Sequence, residues 1–323
     1  MSLFVLLSEM MSALINSSRF AILSKGEIAG VAIRAICFLL GICGNIAVIV
    51  VLLRNFKKEN FTLQLMLNLA ASDIICLAML PVWMCNLLLG WTMDLHFCQF
   101  FCFITYTAVH ASVFIVTLMS VQRYVVVLYR PQWCRLGRRG EFGVLVLMWV
   151  LAGMVSISPA ATYGIVIENG TRHVCEQVFT SEEQKLGVLL FETMAVFVVP
   201  FTMLLVSYLC LHKKVRAKAL MSHQRLATLV TCIVVTFFIF WIPYHIVNVM
   251  IMTAPSEPAQ SVRRIAYRGP RRVVQAISFL NSCMNPLLYA FNYRSLRAKL
   301  PGNENNATQS SNDITRNSTH SQV

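Results

Sequence analysis

Seven apolar stretches, each longer than the roughly 20 residues a helix needs to cross a hydrocarbon core of about 30 Å, run through this chain of 323 residues. They lie near 28–53, 62–88, 97–128, 142–166, 186–211, 227–253 and 271–291, as nearly uninterrupted series of Val, Leu, Ile, Phe, Ala and Met. Backbone polar groups inside lipid must be satisfied within their own segment, and the alternation of a barrel strand is absent, so all seven are expected to be helices. Only 13% of the residues are charged, against about 25% in a soluble domain, and they fall mostly between the apolar runs. The expected fold class is an all-α membrane protein, a seven-transmembrane-helix bundle.

Lys and Arg concentrate in cytoplasmic loops. Arg54, Lys57 and Lys58 occupy the first link, Arg130, Arg135, Arg138 and Arg139 the third, and Lys213, Lys214, Arg216, Lys218 and Arg225 the fifth. Those links are predicted inside, with the N-terminus outside and the C-terminus cytoplasmic. The sequons at Asn16 and Asn169 then become outer-face glycosylation candidates, whereas those at Asn306 and Asn317 are cytoplasmic and unused. Residues 1–27 are read as an extracellular N-terminus and 28–291 as the helical domain. The first 15 residues are apolar but lack a basic start and a small-residue cleavage site, which argues against a removed signal peptide. Residues 292–300 mix apolar and basic groups at helical spacing, as in a short amphipathic eighth helix lying on membrane lipid. Residues 301–323, rich in Asn, Ser and Thr, are expected to be a disordered cytoplasmic tail.

The last outer link, SEPAQSVRRIAYRGPRR, sets Arg263, Arg264, Arg268, Arg271 and Arg272 against the single Glu257. It is either a solvated loop attracting lipid phosphates or a cationic mouth that steers an anionic ligand inward. Arg271 and Arg272 begin the predicted seventh helix, from where they reach into the bundle. Of 11 cysteines, Cys98 and Cys175 are the pair best placed for a disulfide on the oxidising side. Asp73 and Glu192 are acids inside spans, where a charge is costly, so each marks a candidate site. Asp73 shares its depth with Asn45, Ser112, Asn281, Ser282 and Asn285, a polar layer that either holds a small cation or packs by hydrogen bonds alone. Glu192 and His110 either line a ligand cavity or satisfy a neighbour. Pro159, Pro200, Pro243 and Pro286 each remove a backbone hydrogen bond, giving hinges or simply bundle shape.

Gly44-Asn45, LNLAASD ending at Asp73, Trp149, Pro200 with Tyr208, FIFWIP with Trp241 and Pro243, and NPLLY from Asn285 to Tyr289 occur in that order. Together they resemble the rhodopsin-like (class A) family of G-protein-coupled receptors. The resemblance implies a ligand pocket in the outer half, an allosteric sodium ion at Asp73, Ser112, Asn281 and Asn285, and a cytoplasmic cleft that opens for a heterotrimeric G protein. Arg123 takes the cleft role, with Tyr124, Tyr208, Phe237, Trp241, Pro243, Asn285, Pro286 and Tyr289 as further parts of the activation switch. The family's Asp-Arg-Tyr triplet reads Gln122-Arg123-Tyr124 here. An uncharged Gln122 removes the Coulomb attraction to the arginine, so a weaker resting lock and higher basal signalling are expected.

Within the family, RLATLVTCIVVTFFIFWIPYHIVNV, LLFETMAVFVVPF and FLNSCMNPLLYA look like the sixth, fifth and seventh helices of the chemoattractant branch, leukotriene B4 receptors in particular. That resemblance implies an anionic lipid ligand whose carboxylate meets Lys185 and Arg271 above a pocket lined by Tyr106, His110, Phe114, Trp241 and Tyr244, with Glu192 at a further pocket position. Cys102 stands where the branch places a pocket histidine, and the arginine expected at the outer end of the fourth helix falls near Tyr163 or Gly164. A peptide chemoattractant or another eicosanoid suits the same pocket. Thr105 disfavours monoamines and Phe279 disfavours a retinal Schiff base. The branch further implies an inhibitory-class G protein, a plasma-membrane location, and a receptor kinase and arrestin reading phosphates on the tail at residues such as Thr308, Ser310 and Ser311. The rival classes are a transporter, whose paired hydropathy repeats are not found, and an intramembrane enzyme. The histidines are scattered and neither HExxH nor GxSxG occurs, so no catalysis, no nucleic-acid partner and no cofactor beyond sodium is expected.

Overall fold

The computed structural model describes residues 25–54, 61–128, 137–168, 170–218, 221–253 and 260–286. Helix α1 (Lys25–Arg54) is the first span, α2 (Phe61–Ala78) with α3 (Leu80–Leu88) the second, α4 (Leu95–Leu128) the third and α5 (Arg138–Ala161) the fourth. The fifth runs from α6 (Glu182–Glu192) through a π-helical segment, Thr193–Val198, into α7 (Val199–Lys218). The sixth is α8 (Met221–Thr253). The seventh is α9 (Gln260–Ser278), continued after a turn at Phe279 by helix over 280–286. Among the described residues six helical runs are long and apolar enough to cross a membrane. The end of the seventh span with Tyr289, the eighth helix at 292–300, the tail at 301–323, and Asn16 and Asn169 lie outside the described residues.

Where the helices depart from the apolar pattern, local chemistry explains it. The second span breaks at Met79 because Pro81 has no N–H to donate; Val82 and Trp83 both bond to the Met79 carbonyl, at 3.1 and 3.3 Å. The fourth span was expected to reach residue 166, but α5 stops at Ala161, just after Pro159, where Thr162 caps the end by hydroxyl and amide bonds to the Pro159 carbonyl. The fifth begins at Glu182 rather than 186. Ser181 caps it by accepting from the Gln184 amide at 3.1 Å, and the Gln184 side chain accepts from the Thr180 amide in return. Helix α9 starts at Gln260, not 271, so Arg271 and Arg272 lie well inside the helix instead of opening it.

Outside the helices, β1 (Tyr163–Glu168) and β2 (Arg172–Gln177) form an antiparallel hairpin that pairs Tyr163 with Gln177 and Glu168 with Arg172. The apolar run through 166 conceals it, yet Asn169-Gly170 between two extended stretches is a strong hairpin signal, and Gly170 has the positive φ such a turn needs. The hairpin lies across one end of the bundle. Cys175 is disulfide-bonded to Cys98 at the start of α4, with Cα atoms 5.8 Å apart. Asn86 of α3 exchanges two 2.9 Å bonds with the Cys175 backbone. The Trp91 amide donates to the His173 carbonyl at 2.7 Å, beside Gly90, whose φ of +88° and 2.8 Å clearance to that carbonyl leave no room for a side chain.

Lipid removes the hydrophobic drive between helices, so polar bonds and close packing hold the bundle. Asn45 of α1 donates to the Ser282 carbonyl at 3.1 Å, Trp149 of α5 to Asn68 at 3.3 Å, and Trp83 to Thr105 at 2.9 Å. Gly44 lets Pro286 approach so closely that a Cβ would stand 3.0 Å from the proline ring. The core of Leu65, Leu69, Ile115, Val196, Leu204 and Phe237 is sealed, whereas Leu40, Phe142 and Ile239 point outward, as they must in a bundle bathed in lipid.

Candidate functional site

Beneath the hairpin lies a cavity of about 470 Å³, lined from α1, α3, α4, both strands, α6, α8 and α9. Seven of the expected pocket residues line it: Tyr106 and His110 from α4, Lys185 and Glu192 from α6, Trp241 and Tyr244 from α8, and Arg271 from α9. Cys102 does not. It is fully buried behind the lining, beside Tyr163 of β1, so the position where the branch places a histidine is not part of the cavity wall. Phe114 likewise packs into the core below. Thr105, the position read as disfavouring monoamines, and Tyr163, near the expected outer arginine, also line the cavity, as do Trp83, Gln177, Gln275 and Arg34, which were not foreseen. The lone Arg34 inside the first apolar run was the available signal for one of them.

The cavity wall is polar at one end and aromatic at the other. Tyr244 donates to Glu192 Oε1 at 2.8 Å, and Glu192 Oε2 is buried without a partner. His110 is held by Ser156 of α5 at 2.8 Å, so it satisfies a neighbour while also lining the cavity. The Tyr106 and Tyr163 hydroxyls meet at 3.5 Å, and burial pushes the Tyr163 phenol above its ordinary range, keeping it a neutral donor. At the base Trp241 stacks 6.0 Å from Phe237 and 5.9 Å from His245. His245 bonds Thr193 at 3.3 Å, in the π-helical segment whose wide turn directly follows Glu192.

The cationic mouth is not what the charge count implies. Arg272 is neutralised by Glu27 at 2.5 Å, Glu168 at 3.2 Å and Glu176 at 3.7 Å, and Arg172 shares Glu27 and Glu168. Lys185 pairs with Glu182 one turn earlier. These acids come from α1, the hairpin and α6, none of them near Arg272 in sequence, which is why the linear pattern hid them. Arg271 differs: it donates to Gln177, its Nε is buried without a partner, and no described carboxylate lies within 4.0 Å of it.

Deeper in the bundle Asp73 is fully buried; Ser112 donates to one carboxylate oxygen at 3.0 Å and Asn285 to the other at 2.6 Å. Asn281 is buried on the same helical stretch as Asn285. The donor set fits a sodium ion: the Asp73 oxygens keep lone pairs, Ser112 Oγ adds another, and Asn45 Oδ1 is buried and unpartnered. Asn285 turns its N–H toward Asp73, so it positions the carboxylate. Farther along α4, the Gln122 carbonyl accepts from Thr62 of α2 at 3.3 Å. Gln122 is thus bonded to a neighbouring helix; the Arg123 side chain, toward which a weakened resting lock was expected, lies outside the described residues. Tyr208 and Phe237 pack on the central core with Trp241, and Pro243 lies within α8.

The family described as 7 transmembrane receptor (rhodopsin family) matches residues 44–289. G-protein coupled receptor E1 of Equine herpesvirus 2 (strain 86/87) is 27% identical over 268 residues, covering 80% of this chain and 70% of that protein. Leukotriene B4 receptor 1 of Homo sapiens is 29% identical over 273 residues, 82% of this chain and 76% of the relative. C5a anaphylatoxin chemotactic receptor 1 of Danio rerio is 28% identical over 275 residues, 82% and 77% respectively.

Proposed function

Because the chain belongs to the rhodopsin-like (class A) family of G-protein-coupled receptors, on its chemoattractant branch, we propose that its ligand is an anionic lipid mediator, with leukotriene B4 as the best match. As a member of that family it is a multi-pass membrane receptor that couples to a G protein, not an enzyme. The observation that carries the ligand reading is Arg271: a guanidinium in the cavity wall with no described carboxylate within 4.0 Å, above an aromatic base that suits an apolar chain. Lys185 joins it once the ligand displaces Glu182. Glu192, Tyr244 and Tyr106 then meet ligand hydroxyls.

In this reading the hairpin end faces outward at the plasma membrane, the C-terminus is cytoplasmic, and Asn16 and Asn169 carry glycans. Ligand binding is tighter in the state with the sixth span swung outward, and that difference in affinity drives signalling. Trp241 and its stack on Phe237 carry the change from the cavity toward Arg123, Tyr208 and Tyr289. Sodium at Asp73 favours the resting state. An inhibitory-class G protein binds the opened face, and a receptor kinase and arrestin act on the tail.

Inhibition of cyclic AMP in cells expressing the chain, titrated with leukotriene B4, tests this. A response that Arg271→Ala and Lys185→Ala shift to higher concentration supports it. Silence, with surface expression confirmed and an independent G-protein readout also silent, rejects leukotriene B4. The second reading is a peptide chemoattractant, favoured by the mixed charges of the rim, where Glu27, Glu168, Glu176 and Glu182 stand among the cations.

A further inference from the structure

We propose that Arg34 forms a second anion site in the cavity, where α1 meets α9, and that it takes a carboxylate-type group distinct from the one held by Arg271. The proposal rests on the anionic-ligand reading above.

Arg34 interrupts the first apolar run between Ile33 and Ala35, is 4% exposed, and lines the cavity. A charge at such a place is costly, and it persists where something answers it. Its guanidinium folds back so that Nη1 donates to the Gly30 carbonyl at 3.1 Å and Nη2 to the Arg272 carbonyl at 3.3 Å. The Phe279 ring lies 6.0 Å away, a weak cation–π contact. The Nε group is buried with no partner, and no described carboxylate lies within 4.0 Å. The nearby acids Glu27, Glu168 and Glu176 are already engaged with Arg172 and Arg272.

Two backbone carbonyls do not require a cation; a neutral amide would satisfy them at lower cost in this setting. What the guanidinium adds is a positive charge and a free N–H in the wall of a ligand cavity, the features an incoming carboxylate uses. Gly30 points the same way. A Cβ there would stand 2.9 Å from Nη1, so an added methyl would push the folded-back guanidinium aside from its present place. Trp83 and Gln275 line the same cavity and supply an aromatic face and a side-chain amide, while the Ser278 hydroxyl beside them already donates to the Gln275 carbonyl at 2.8 Å. The anion is either the second acid of a chain-like diacid or a small free carboxylate bound beside a monoacid.

The test is thermal denaturation of the purified full-length receptor, titrated with a long-chain α,ω-dicarboxylic acid or the monocarboxylic acid of equal chain length, with and without acetate. The diacid is expected to half-saturate at a concentration about tenfold below the monoacid, as one added charge-assisted bond allows. Arg34→Gln closes that gap while leaving monoacid binding intact, which also shows that the variant is folded; Gly30→Ala narrows it without touching the arginine. If acetate brings the monoacid to the diacid's potency in the parent but not in Arg34→Gln, the site stands and is filled from solution. Equal potency in the parent without such an acetate effect, or a gap that survives Arg34→Gln, overturns the Arg34 site alone. Monoacid binding that is indifferent to Arg271→Ala overturns the anionic-ligand reading instead, and if neither acid binds the parent, both fall.

Discussion

Arg272 is the knot that ties the hairpin to α1 and α9, so removing it should loosen the hairpin without unfolding the bundle. Its guanidinium contacts Glu27, Glu168 and Glu176 with a side chain only 12% exposed. Removing one partner of a buried ion pair costs about 3–5 kcal/mol, because the carboxylates left behind are desolvated and uncompensated. Arg172 keeps Glu27 at 3.4 Å and Glu168 at 3.2 Å, which offsets part of the loss and places Arg272→Ala at the low end, about 3 kcal/mol. If that loss falls on local opening, amides of β1 and the first half of β2 exchange about a hundredfold faster in hydrogen-exchange mass spectrometry. The Cys175 amide stays protected, because Asn86 and the disulfide still hold it. Arg272→Lys should fall between, since a point charge cannot place separate donors on Glu27 and Glu168 as the two Nη groups do. Exchange in Arg272→Ala within about twofold of the parent would refute the reasoning, because it would place the cluster at the value of an exposed pair.

Tyr244→Phe strips Glu192 of its described hydrogen bond and should lower thermal stability by about 1–3 kcal/mol; adding Glu192→Gln should recover part, and a lack of recovery argues against a buried carboxylate as the cause. Gln122→Asp restores an acid beside Arg123 and is expected to reduce ligand-independent inhibition of cyclic AMP; equal basal signalling in the two proteins counts against a weak resting lock. Replacing choline by sodium at constant ionic strength should weaken agonist binding to the parent and leave Asp73→Asn unaffected, whereas equal sensitivity removes the ion from this site.

Much of the fold was legible because lipid imposes one simple demand, that every span satisfy its own backbone, and long apolar runs report it directly. Asp73 and Glu192 stood out for the related reason that acids in such runs are rare, and Arg271 because five cations crowd the last outer link. The errors have physical causes too. Hydropathy alone does not separate the end of α5 from β1, since Tyr163, Ile165 and Ile167 are as apolar as the helix before them. Cys102 and Tyr106 lie on the same helix four residues apart, yet only Tyr106 lines the cavity.

The sequence by itself pointed to seven spans, the partners of the disulfide and seven of the residues that line the cavity, because hydropathy, burial cost and motif order are properties of the chain read along its length. Only the tertiary structure decided which charges are free. Glu27, Glu168 and Glu176 reach Arg272 from three separate segments, so they cancel a cation that looked available, and Arg34 and Arg271 are left with no described carboxylate within 4.0 Å. Coulomb energy depends on distance in space, and the chain's linear order does not encode that distance between segments far apart along it, 245 residues for Glu27 and 104 for Glu168.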